Sequence, residues 1–196
     1  MQTHIQNHTM KKIHLPLILL AAMLLFGCRT TTKTRIFLLT GDESLQQLNP
    51  TGVKVEMRPI KLPNYLDRRE FVKRVGEDEI QILRSWLWAE TSEHSINVAF
   101  LQNLKALLGE DNVLPYGTAT GDTPVLLVFV RGMEVRDDTF VADFHCRLKQ
   151  NGKATLEKRL YWKTAVEPGV PYIKYYKQAT AEMARQTAAW LSETQN

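Results

Sequence analysis

Two cysteines and five histidines are the residue types through which this chain of 196 could do nucleophilic or metal chemistry. Their spacing excludes most of it. His4, His8 and His14 precede Cys28 and belong to a segment argued below to be removed. His94 and His145 have no HxxxH, CxxC or carboxylate cluster at ligand spacing around them, so no metal site is expected. Cys146 alternates with Phe140, Ala142, Phe144 and Leu148 in a strand pattern. That phase puts the thiol on a core face, where burial raises its pKa and leaves it inert. No P-loop, GxGxxG or GxSxG motif is present. The residues point away from catalysis and from a bound cofactor.

Cys28 carries a different chemistry. Lys11 and Lys12 form a basic start, Ile13 to Phe26 an apolar run of about 14 residues, and Leu25-Phe26-Gly27-Cys28 closes it. The run is shorter than the roughly 20 residues a spanning helix needs, and its anatomy is that of a secretory signal. Leu three before a cysteine and a small residue one before it resemble the lipobox, which makes Cys28 the expected lipidated first residue of the mature protein. Acyl chains, palmitoyl among them, would hold it in a bilayer, each buried methylene contributing ~0.8 kcal/mol. Arg29 follows where lipoproteins kept in the inner membrane usually carry Asp, so the outer membrane is the expected address. Met10-Lys11-Lys12 is itself a complete signal start, and Met10 is the expected initiator.

Removal of residues 1–27 leaves 169, one domain's worth, and lowers the formal charge from +4 to +2 because Lys11 and Lys12 go with it. The remaining cations are interspersed with Asp and Glu rather than gathered in a stripe, which argues against nucleic acid as a partner. Cys146 is then the last thiol, so no disulfide within the chain can form. The expected organisation is a signal over 1–27, a lipidated tether over 28–33 and a single periplasmic domain over 34–196.

Within that domain, Arg35 to Leu39 reads as a buried strand, and Val53, Val55 and Met57 alternate with Lys54, Glu56 and Arg58 as in a half-buried one. Glu70 to Val75 and Glu79 to Leu83 flank Gly76-Glu77-Asp78 as a hairpin. Thr91 or Ser92 caps a helix with Ile96, Phe100, Leu104 and Leu107 on one face and Gly109 as its stop. Val125 to Val130 reads as a central strand covered on both faces. The Cys146 strand follows, then Asn151-Gly152 turns into a strand from about Thr155 to Lys163, making a meander. Tyr172 to Leu191 closes as a helix with Ile173, Tyr176, Thr180, Met183, Thr187 and Trp190 on one stripe. The expected fold is α/β, with a mixed sheet and two long helices packed on it.

Two aromatic and charged stretches remain as candidate surfaces: Leu62-Pro63-Asn64-Tyr65-Leu66-Asp67-Arg68 and Arg84-Ser85-Trp86-Leu87-Trp88-Ala89-Glu90. Both read as connections, and Trp, Tyr and Arg dominate interface energetics. Together with the lipobox, Phe37-Leu38-Leu39, the Val-x-Val strand and the helix after Glu90, these stretches make the chain similar to the PqiC (YmbA) family of transport auxiliary lipoproteins. The family usually continues its second motif as WAEPL, whereas Thr91-Ser92 follows Glu90 here.

That resemblance implies a three-layer α/β domain similar to the N-terminal domain of TolB, and no catalysis. It implies an outer-membrane lipoprotein supporting membrane integrity by lipid transport. Its implied partners are a periplasmic MCE-domain protein that forms a tube for lipids and an inner-membrane transporter subunit. Partner binding is expected at Leu62, Pro63, Tyr65, Leu66, Asp67, Arg68, Trp86, Trp88 and Glu90. A homo-oligomer is left open. A structural or assembly lipoprotein of another envelope machine is the alternative, and a hydrolase with an unfamiliar site a third reading. Cys28→Ala should abolish acylation and release the domain from the membrane fraction, checked by fractionation and intact mass.

Overall fold

The computed structural model describes residues 33–48, 53–119 and 121–195. The signal, Cys28 and the tether as far as Thr32 lie outside the described residues. Contacts group Thr34–Asn196 as one unit. Its elements are β1 (Arg35–Phe37), β2 (Val55–Met57), β3 (Glu70–Val75), β4 (Glu79–Trp88), α1 (Ser92–Leu108), β5 (Val113–Pro115), β6 (Val125–Arg136), β7 (Thr139–Lys149), β8 (Leu156–Ala165) and α2 (Ile173–Gln195).

β6 organises the sheet because both of its edges are used. On one side it pairs antiparallel with β7, which pairs with β8. The other edge is shared by two parallel strands. β2 takes its first residues, Glu56 against Val125, and β3 takes its last, Arg74 against Arg136. Between them the chain after β2 keeps to the edge, with Lys61 N–H donating to Val128 O and Val130 N–H to Lys61 O. β5 lies parallel outside β2; β4 lies antiparallel outside β3, and β1 parallel outside β4.

The meander follows from local signals. Asp137, at φ 51°, makes the β6–β7 turn and Gly152, at φ 69°, the β7–β8 turn, both in the left-handed region such turns require. Phe140, Ala142, Phe144, Cys146 and Leu148 are all buried, as their alternation requires. α1 starts as read, Thr91 Oγ1 accepting from His94 N–H, and stops at Gly109. Both helices lie on the Phe144 face: Phe100 of α1 meets Phe144 at 5.9 Å between ring centroids, and Thr187 of α2 meets Cys146 Sγ at 3.9 Å.

This placement corrects two expectations. β6 is central, but within Val125 to Val130 only Leu126, Val128 and Val130 on the helix side are buried, while Val125, Leu127 and Phe129 are half-buried. The opposite, open face carries a polar ladder instead: Asp143 with Arg159, and Glu157 with Arg147 and His145. The first strand is not buried either. Among the described residues β1 pairs with β4 alone; Phe37 packs on the core while Ile36 and Leu38 are 64% and 59% exposed.

A third correction concerns Arg84 to Glu90. These residues are not a connection: β4 continues to Trp88, past an irregularity at Glu70/Phe71 that skips several of its residues in the pairing. Trp88 is core, 1% exposed and stacked on Phe71 with centroids 4.2 Å apart. Trp86 is half-buried, between Phe37 at 5.4 Å and Tyr172 at 5.1 Å. Trp88→Ala should therefore lower unfolding free energy by ~3–5 kcal/mol, and Trp86→Ala by less, measured by denaturant titration.

Candidate docking surface

The segment from Leu62 to Arg68 fills the gap between β2 and β3. Pro63 O accepts from Leu66 N–H and Asp67 N–H, a tight turn that proline and asparagine favour. Successive side chains then go to opposite faces. Leu66, 5% exposed, points to the helix side, where Ser92 Oγ donates to its carbonyl at 2.7 Å. Tyr65 lies on the open face, its hydroxyl donating to Glu134 Oε2 at 3.0 Å. Arg68 lies between faces, its N–H donating to Ser92 Oγ at 3.3 Å and its Nε 3.7 Å from Glu70.

Glu134 is the centre of this surface. It has no exposure, yet its carboxylate accepts from Tyr65 Oη, from Arg74 Nε at 3.3 Å, from Arg136 Nε at 2.9 Å and from Met133 N–H at 2.8 Å. A buried carboxylate needs such a full set of donors. Burial, then the Glu134 charge, pushes the Tyr65 hydroxyl above its ordinary pKa, so it stays a donor. The Tyr65 contact, then Glu134, holds Arg74 more firmly protonated. Arg74 also lies over the Tyr65 ring, 5.5 Å from its centroid. These four side chains form one hydrogen-bonded patch on the open face, two guanidiniums and a hydroxyl around one carboxylate.

Of the sequence-derived candidates, the structure brings Tyr65 together with this patch and leaves Asp67 and Glu90 exposed. Leu62, Pro63, Arg68 and Trp86 are half-buried. Leu66 and Trp88 are withdrawn into the core and have no surface to offer. Glu134, Arg74 and Arg136 were missed; Glu134 follows the apolar run of β6 between Met133 and Val135, and that flanking by apolar residues is the one signal the sequence offers. A separate groove of about 540 Å³ opens at the start of β1, lined by Arg35, Leu83, Trp86, Val170 and Tyr172 among others.

Neither histidine builds a site: His94 Nε2 is 3.3 Å from Glu90, and His145 Nε2 accepts from Arg147 Nε at 3.2 Å. Among the described residues no three His, Cys, Asp or Glu side chains group as metal ligands.

Residues 37–188 match the family of ABC-type transport auxiliary lipoprotein components. The chain belongs to this family. Its coarse role is therefore that of a lipoprotein auxiliary to ABC-type transport in the cell envelope. Among the described residues no helix is long and apolar enough to cross a membrane. The fold of this auxiliary lipoprotein is also that of a solved uncharacterised protein, at TM-score 0.65 and 18% identity over 82% of this chain and 100% of the other. Protein XCC0632 from Xanthomonas campestris is similar at TM-score 0.61 and 12% identity, over 82% of this chain and 96% of that one. A PelC dodecamer from Paraburkholderia phytofirmans matches at TM-score 0.42 and 13% identity, over 82% and 93%. No curated protein sequence matches the chain significantly.

Cys146 is fully buried, and desolvation pushes its thiol up to about 12 against an ordinary 9.0. A thiol so placed is no nucleophile at neutral pH. A raised folded-state pKa means stability held below pH 9.0 and lost as pH rises toward about 12. At ~1.4 kcal/mol per unit the thiol's share is on the order of 4 kcal/mol. Between those pH values the parent should lose stability more steeply than Cys146→Ala, read from denaturant midpoints at successive pH.

Proposed function

We propose that this protein is the outer-membrane-anchored lipoprotein subunit of an MCE-type intermembrane lipid transport system. It docks the periplasmic MCE-domain tube, works with an inner-membrane transporter subunit and supports membrane integrity without catalysing a reaction. The family match over residues 37–188 carries this reading. The lipobox at Leu25 to Cys28 and Arg29 after it support the outer-membrane address.

The docking surface is the open-face end of the 62–68 segment. Pro63, Tyr65, Asp67 and Arg68 supply it, with Leu62 behind them and Glu90 just past the neighbouring strand; Trp86 faces the separate groove at β1 instead. Tyr65 suits an anchor because Glu134 holds its ring in place before a partner arrives, which lowers the ordering cost of binding. Its removal should cost ~2 kcal/mol or more in binding, about thirtyfold in affinity. In crosslinked cells, the lipidated protein should capture an MCE-domain protein, and Tyr65→Ala or Asp67→Arg should lose that capture while keeping a near-normal melting temperature. Undiminished capture by both folded variants would remove this surface; capture of a different envelope complex would remove the MCE assignment.

A further inference from the structure

We propose that the β1 corner of the sheet rests on the phospholipid surface of the membrane that holds the anchor, with Ile36 and Leu38 seated among the headgroups. This rests on lipidation of Cys28. It adds to that reading a fixed orientation of the domain.

The first argument is reach. Arg35 opens β1 only seven residues after Cys28. An extended chain spans at most ~3.6 Å per residue, so β1 starts within about 25 Å of the acylated residue. A domain of this size is roughly 30–40 Å across. The tether is shorter than the domain is wide, so the end of the sheet where the chain enters faces the bilayer.

The second argument is composition at that end. Ile36 and Leu38, 64% and 59% exposed, are the two most exposed large apolar side chains among the described residues. They stand two apart in extended chain and so project to one side. Among the described residues β1 has a strand neighbour, β4, on one edge alone. On β7 and β8 the open face is mostly charged, Asp143, Arg147, Glu157, Arg159 and Lys163 standing around Val141 and a Tyr161 that is 47% exposed. Among the described residues Ile36 and Leu38 exceed every other large apolar side chain in exposure and stand together as a pair.

The third argument is charge. Residues 28–40 contain Arg29, Lys33 and Arg35 and no acid, and Lys33 and Arg35 are both exposed. Cations flanking an apolar pair match the phosphate layer of a bilayer, into which they can extend while the apolar side chains go deeper. The groove beside Arg35 also holds Asp137, Asp138 and Glu167, so the cationic character is confined to the tether side of β1, while half-buried Trp86 and Tyr172 are of the amphipathic aromatic type that settles at headgroup depth.

The test uses the full chain, processed in cells and reconstituted in phosphatidylethanolamine and phosphatidylglycerol vesicles with brominated acyl chains. Bimane is placed through Ile36→Cys, Leu38→Cys and, as reference at the opposite end of β6, Lys153→Cys in the β7–β8 turn; buried Cys146 stays unlabelled. Bimane at 36 and 38 should shift to the blue and be quenched by bromine, while bimane at 153 keeps its aqueous emission. Aqueous, unquenched emission at 36 and 38 on acylated, vesicle-bound protein overturns the proposal and leaves the lipoprotein reading standing. A blue shift without quenching that grows with protein density means that a second copy covers the pair, and overturns it as well. Absence of acyl mass on Cys28 instead removes the anchor, and the proposal falls with it.

Discussion

The fold turns on one carboxylate that water cannot reach. Taking a carboxylate out of water costs several kcal/mol, and leaving it with an incomplete set of partners costs more. Glu134 is fully buried on β6, so everything around it must deliver donors. Arg74 comes from β3, Arg136 from two residues further along β6, and Tyr65 from the segment that bridges the gap between β2 and β3. Even the backbone takes part through Met133 N–H. Gly132 leaves room for this cluster: a Cβ there would lie 2.6 Å from Arg136 Nη2 and 3.3 Å from Glu134 Oε2, so a larger residue would displace the Arg136 guanidinium. The register shift between Val130 and Gly132 sets which residues face the open side. The pairing of β3 with β6, the path of the 62–68 segment and the exposed patch around Tyr65 are consequences of the same charge being satisfied.

What could be read from the sequence was what local chemistry encodes. α1 announces itself by Thr91, by apolar residues at helical spacing and by Gly109, and all three act as read. The β6–β7–β8 meander follows from alternation and short turns, and the phase of that alternation places Cys146 in the core. Parallel pairings were invisible. Arg35 meets Trp86, and Val55 meets Val113, but nothing in either segment names a partner so distant in the chain. β5, three residues ending in Pro115, is too short to leave a pattern. Coverage was misjudged for the same reason. An apolar run in β6 does not say on how many faces helices will land, and here both landed on one.

The candidate surface was half legible. Aromatic and charged composition picked out 62–68, and the structure places Tyr65 and Asp67 where a partner could reach them. The same rule failed at Trp88, because the irregular pairing of β3 and β4 disguises a strand end as a loop. Aromatic side chains serve cores and interfaces alike, and only the pairing of Trp88 with Phe71 and Tyr176, at 4.2 and 4.8 Å between ring centroids, separates the two uses. Glu134 shows the converse. The residue that organises the surface is not itself exposed, so a search for surface composition passes over it.

The outer edge of β8 has no strand partner among the described residues, so alternate residues of this ten-residue strand turn their backbone donors and acceptors outward. Lipoproteins held on one membrane are confined to two dimensions and meet their neighbours far more often than free molecules do. Open strand edges under such confinement template cross-strand growth. β8 carries Glu157, Lys158, Arg159 and Lys163 within ten residues, all exposed, and charged side chains on an edge strand, lysines above all, oppose such growth. Solubility of this domain at high surface density is thus written into its last strand, and charge-neutral replacements there would be felt first as clumping in the envelope, with folding of the isolated molecule unaffected.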